Sequence, residues 1–180
     1  MVLIIIICLI IAITSLIAIF LINKYNNFQW IRIKLNKAEN NISSYLEIKY
    51  DILLRKFEFI KNNVTVDEDD FAEYKFLNTK ISINKLNQNV KDLNNLINRY
   101  IDNNEELYKK ETIENIDNEL KNVNIRLNSA KRYYNNHLKE YNNLCKSFPS
   151  KIIAQIFKYK TKEFIDEDVP DTLKILNQEN

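Results

Sequence analysis

The chain has 180 residues with 26 basic and 24 acidic side chains, two Pro, two Cys, one His and no Gly. Without Gly there is no phosphate-cradling Gly loop, dinucleotide fingerprint or nucleophile elbow, because each needs a backbone that only Gly tolerates. One His and two distant Cys exclude two-His zinc motifs, four-ligand cysteine sites and a disulfide framework, and the balanced charge argues against nucleic-acid binding; the composition implies no metal, no cofactor and no enzymatic reaction.

Residues 2–22, from Val2 to Ile22, carry no charge and are interrupted only by Thr14 and Ser15. As a helix this run spans about 31 Å, the hydrocarbon thickness of a bilayer. It lacks the basic start and small-residue cleavage site of a signal peptide, and Cys8 follows four Ile, so neither cleavage nor lipid attachment is expected. No Lys or Arg precedes the run, whereas Lys24, Arg32, Lys34 and Lys37 follow it. The positive-inside rule then puts the amino terminus outside and the body in the cytoplasm. Tyr25, Phe28 and Trp30 fit an interfacial aromatic belt or the first bundle contacts.

Beyond the anchor the pattern is helical. Ile31, Leu35, Ala38, Ile42, Tyr45, Lys49, Ile52 and Lys56 step by three and four, widened by Leu46, Leu53 and Phe57, with the two lysines expected to snorkel. This helix should end near Asn62 and Asn63. Thr65 and Glu68 read as a capping box, with Asp67, Asp69 and Asp70 in the first turn of a second helix carrying Phe76, Ile83, Leu86, Val90, Leu93, Ile97 and Tyr100. The acidic run lacks the alternation and Gly of a calcium loop. A third segment places Ile113, Ile116, Leu120, Val123, Leu127, Ala130, Tyr134, His137, Tyr141, Leu144 and Phe148 on one bundle seam. Pro149 stops it, and Ile152, Ile153, Ile156 and Phe157 predict a short fourth helix before an irregular tail.

These elements describe an all-α chain: an anchor over 1–22, an antiparallel up-and-down bundle of three long helices and a short fourth over 23–160, and a tail over 161–180. Short loops would make the three long helices antiparallel neighbours in turn. The turn at 103–110 would then face the bilayer, with the acidic turn and the Pro149 region about 50 Å away. On that placement Lys151, Lys158, Lys160 and Lys162 could not reach the membrane. The frequent Asn residues, including the sequons at Asn41 and Asn63, reflect composition rather than a signal.

Ala130-Lys131-Arg132-Tyr133-Tyr134-Asn135, then Tyr141-Asn142, then Ser147-Phe148-Pro149-Ser150 followed by Ile152-Ile153-Ala154 and Phe157, closely resembles the C-terminal signature of the LemA family of bacterial membrane proteins. Tyr50-Asp51-Ile52-Leu53 matches a similar stretch in that family's first long helix. Two departures stand out: Leu54 replaces a usual Pro, which should leave the first helix straighter, and Lys158 replaces a usual Gly, which puts any turn there in question. The resemblance implies a four-helix up-and-down bundle on one anchor, with an external amino terminus and no known enzymatic activity.

The signature permits two readings. Tyr134 and Tyr141 lie on the seam and would satisfy polar groups within a bundle end. Alternatively Arg132, Tyr133, Asn135, Phe148 and Pro149 form a docking surface, since exposed Tyr and Arg are favoured contact types. The function expected is a non-catalytic scaffold or adaptor at the cytoplasmic membrane, with the lipid bilayer, further protein partners and a second copy of the chain as possible associates. A stator-like stalk is the alternative, disfavoured because the capped turn at Thr65 would interrupt it; a ligand-sensing bundle would need reversed topology.

Overall fold

A computed structural model describes residues 1–67, 69–74 and 81–166. Its elements are α1 (Val2–Lys61), a 3-10 helix (Asp69–Tyr74), α2 (Ile83–Asp102), a second 3-10 helix (Glu105–Lys109), α3 (Glu111–Lys146) and α4 (Ser150–Ile156). Among the described residues there is no strand, and the all-α architecture of three long helices and a short fourth is the one the periodicity predicts.

The anchor and the first bundle helix are a single 60-residue helix. With neither Gly nor Pro in this stretch, nothing interrupts the ladder, and it passes unbroken through Leu54. Its first part is long and apolar enough to cross a membrane, and none of that segment is buried against the rest of the protein. The Thr14 hydroxyl donates to the carbonyls of Ile10 and Ile11 at 3.0 Å, and Ser15 to Ile11 at 2.8 Å. The hydroxyls of the apolar run are therefore satisfied inside the helix, as an apolar surrounding requires. At the other end Asn63 closes α1: its side-chain amide donates to the Phe59 carbonyl at 2.7 Å, while its backbone N–H takes Ile60.

The packing of the described residues divides into two units, residues 1–37 with 134–164, and residues 38–133 with 165–166. In the second unit Ile42, Leu46, Leu53 and Ile60 of α1, Leu86, Val90, Leu93 and Ile97 of α2, and Ile113 and Leu127 of α3 are buried at the expected three-and-four spacing. Lys49 and Lys56, expected to snorkel, are buried instead, 6% and 3% exposed. The Lys56 ammonium is held by Asp117 at 2.5 Å, so a carboxylate rather than water receives it.

The predicted second helix begins later than its capping signal. α2 starts at Ile83, where Ser82 accepts from the Lys85 N–H at 3.4 Å. The Asp67 carboxylate accepts from the Asp69 N–H at 3.0 Å, a local bond that competes with α-helix, and Asp69–Tyr74 forms a 3-10 helix instead. Tertiary packing fixes the outcome: Phe71 stacks on Phe57 at 3.7 Å and meets Tyr100 at 5.6 Å, and the Tyr100 hydroxyl donates to Asp70 at 2.8 Å. The expected core residue Phe76 and the capping residue Glu68 lie outside the described residues.

Chain direction is corrected with it. Phe57–Phe71 followed by Tyr50–Tyr74 shows the connection after α1 turning back along that helix. Tyr100, near the end of α2, lies with Phe71 beside Phe57, near the end of α1, and α3 runs against α1. Lys110 bonds Asn63, Asp117 bonds Lys56 and Glu119 bonds Arg55, which pairs the start of α3 with the end of α1. The turn at 103–110 therefore lies at the α1 end farthest from the apolar run, opposite to expectation.

In the first unit Phe28, Ile31 and Leu35 of α1, Tyr134, Leu138, Tyr141 and Cys145 of α3, and Ile153 and Ala154 of α4 are buried. The seam thus drifts from the predicted His137 and Leu144 positions toward Leu138 and Cys145, and Phe148, placed on it by spacing, is 81% exposed beyond the end of α3. The Phe157 ring lies 4.8 Å from Tyr25. Since Tyr25 is three residues past Ile22, the end of α4 stands about 5 Å beyond the apolar run, not about 50 Å from it.

Candidate functional site

The best-defined polar arrangement lies in the first unit. Tyr25, Phe28, Gln29, Arg32, Leu35 and Asn36 recur at helical spacing and share one face of α1. Against that face runs the irregular segment after α4. Phe157 meets Tyr25, the Tyr159 ring lies 5.2 Å from Phe28, and Tyr141 of α3 meets Phe28 edge-on at 6.0 Å. Such tilted and edge contacts are the geometries that aromatic quadrupoles favour.

Lys158 makes this course possible. It adopts φ 55°, in the left-handed region, between the two stacked rings of Phe157 and Tyr159. For a residue with a Cβ this conformation carries a steric cost of about 1–2 kcal/mol. Beyond it the Asn142 side chain forms a two-bond amide clamp on Lys162, donating to its carbonyl at 2.9 Å and accepting from its N–H at 3.0 Å.

The Tyr159 hydroxyl is the hub. It accepts from the Gln29 amide at 2.9 Å and from the Arg32 guanidinium at 3.2 Å, and that guanidinium also sits 4.8 Å over the Tyr159 ring. An open cleft of about 320 Å³ is lined by Arg32, Leu35, Asn36, Tyr141 and residues 158–162. Its lining contains one arginine and three lysines and no carboxylate. Burial, with the Cys145 sulfur beside it, pushes Tyr141 up to about 12, and burial also raises Cys145. Both therefore stay protonated at neutral pH, and the thiol is an unreactive core group.

The signature residues divide. Tyr134 and Tyr141 are each 4% exposed, as seam positions. Arg132 is exposed and Tyr133 is 45% exposed, both in the second unit; Asn135 and Pro149 are half-buried and Phe148 exposed, all in the first. Sequence reasoning missed Gln29, Arg32 and Tyr159, whose only signal was the unusual Lys158 flanked by two aromatic residues. It also missed Lys131, completely buried on α3.

No curated protein and no solved structure matches the chain. A family model described as the LemA family matches residues 38–172, covering all of α2, α3 and α4 and residues 38–61 of α1. The match spans well over half of the sequence and agrees with the signature read from residues 130–157: the chain belongs to the LemA family.

Proposed function

We infer that this chain is a non-catalytic scaffold or adaptor, anchored in the bacterial cytoplasmic membrane through residues 2–22, with its amino terminus outside and its body in the cytoplasm. The observation that carries the reading is α1 itself. One unbroken helix joins an apolar end that packs against nothing to the buried Phe28, Ile31 and Leu35, so the core of the first unit is attached to its anchor without a break in the helix. The basic residues that follow the run, with none before it, support the orientation. The exposed pair Arg132 and Tyr133 on α3 supplies a contact surface of favoured type.

Two measurements test it. Ser44 is exposed on α1, so Ser44→Cys should react with a membrane-impermeant thiol reagent only after cells are permeabilised; labelling of intact cells would reverse the topology. A photoreactive phenylalanine at position 133 should crosslink a defined protein in cells, and Arg132→Glu should remove that adduct while preserving helicity. An adduct indifferent to Arg132→Glu would count against this surface. The stalk reading keeps its objection, because α1 ends at Lys61 and the chain turns back after Asn63. A stalk would pair two copies along this helix, and a disulfide dimer formed by Ile33→Cys, at a 66% exposed position, would favour it.

A further inference from the structure

The short α4 carries its apolar residues on the wrong side for a core. Ile153 and Ala154 are buried, but Ile152 and Ile156, four residues apart on one face, are 40% and 64% exposed. Phe148 before the helix is 81% exposed and Phe157 after it 47%. Large apolar groups grouped on one short element signal a surface that something covers. What covers it follows from position. Phe157 packs on Tyr25, three residues beyond Ile22, so α4 ends at the height where the apolar run of α1 ends. From there the chain climbs away: Tyr159 is bound to Gln29 and Arg32, and residues 160–162 line the cleft with Leu35 and Asn36. Lys151 and Lys158 bracket the apolar face and are exposed.

We propose that α4 with its flanking Phe148 and Phe157 is an interfacial element that lies in the headgroup layer of the same bilayer the α1 run crosses, its apolar face at the acyl boundary and Lys151 and Lys158 against anionic headgroups. This rests on the reading of residues 2–22 as a membrane span. An apolar face with basic flanks is the composition that binds an anionic lipid surface. The continuity with the span supplies the occupant: a bilayer already held about 5 Å away, along the helix axis, from the Tyr25 contact. Of the cleft lysines, Lys162 lies farther out: Asn142 clamps it beside Tyr141, whose ring meets Phe28, six residues past Ile22 and about 9 Å along the helix, whereas the headgroup layer is about 6 Å thick. Lys162 is thus an internal control.

The chain has one Trp, so its fluorescence can be moved. Full-length Trp30→Phe protein carrying Ile152→Trp, Phe148→Trp, Ile11→Trp or Ser44→Trp is reconstituted into vesicles of phosphatidylcholine with brominated acyl chains, with and without phosphatidylglycerol. Emission from Ile11→Trp should fall by about half or more, that from Ile152→Trp and Phe148→Trp by about a third, and that from Ser44→Trp not at all. Phosphatidylglycerol should deepen the Ile152→Trp quenching, and Lys151→Glu with Lys158→Glu should abolish the increment while Lys162→Glu leaves it. Quenching of Ile11→Trp alone would overturn the proposal and leave the span standing. No quenching at Ile11→Trp would remove the span and the proposal together. A blue-shifted, unquenched Ile152→Trp would show a protein covering the face, and an absent increment would remove the headgroup contact; either overturns the proposal. Phe148→Trp keeps the test valid if Ile152→Trp fails to fold, because its side chain is already in the open.

Discussion

The two units of this molecule are held together by different chemistry. In the second, Ile and Leu at helical spacing on α1, α2 and α3 form an aliphatic core. The first places a ladder of rings, Tyr25, Phe157, Tyr159, Phe28 and Tyr141, on α1, tied by the Tyr159 hydroxyl and the Asn142 clamp. An aliphatic seam is non-directional, so its strength depends on burial alone. A ring ladder with hydroxyl and amide ties is directional, and it can hold an irregular segment that has no backbone ladder of its own.

The largest effect expected is in the aliphatic unit. Leu127 is completely buried, and Leu127→Asp puts an unpaired carboxylate there, which should cost about 4 kcal/mol and be visible as loss of helicity or a collapsed denaturation midpoint. A harmless Leu127→Asp would contradict an aliphatic core. The next effect separates charge from burial at Lys56. Asp117→Ala strands the buried ammonium and should cost about 2 kcal/mol, below the usual cost of breaking a buried pair because Asp117 is 41% exposed. Lys56→Met, of similar length, should be neutral or stabilising. Equal losses from both variants would mean that Lys56 is needed for its charge.

This contrast explains what the sequence made legible. The seams of α1, α2 and much of α3 follow from a 3.6-residue period, and Ile42, Leu93 and Leu127 sit where that period puts them. The errors fall where a non-α segment lays a ring on α1. Phe71 on Phe57 displaced the start of the second helix, and Tyr159 on Phe28 brought the C-terminal segment to the anchor end. Neither contact has a period, because each depends on a ring reaching a partner distant in sequence. Chain direction failed for the same reason: that residues 69–74 lie back against α1 is read from Phe57–Phe71 and Tyr50–Tyr74, and residue spacing carries no information about either.

A smaller effect, of opposite sign, belongs to the ring ladder. Lys158 holds φ 55° so that Phe157 and Tyr159 can both face α1. Lys158→Gly relieves the Cβ strain but loosens the unfolded chain, for a net stabilisation of about 0.5–1 kcal/mol. Lys158→Val should destabilise by more than that, because a β-branched residue tolerates this region worst. Denaturation midpoints of the full chain in detergent would show both. A destabilising Lys158→Gly would mean that the lysine side chain itself holds the turn.

The smallest effect is constant at neutral pH and changes only in strong alkali. Tyr108 in the second unit and Tyr141 in the first are both pushed from the ordinary phenol value of 10.0 to about 12. The causes differ. Tyr108 is 50% exposed and its hydroxyl donates to Asp102 at 2.6 Å, so the carboxylate is the chief reason that it keeps its proton. For Tyr141 the chief reason is burial beside Phe28 and Cys145. A raised folded value means that the folded state holds the proton more tightly than the unfolded one, so this contribution to stability is complete below about pH 10 and is lost as pH rises through about 12. Asp102→Asn should bring Tyr108 down toward 10.0 and leave Tyr141 unmoved, as read from ring resonances during an alkaline titration. Cys145→Ala should leave Tyr141 raised, because the sulfur is the lesser cause. If Tyr141 fell to 10.0 in either variant while the protein stayed folded, the first unit would be admitting water at its ring ladder, and the directional core would be looser than the aliphatic one.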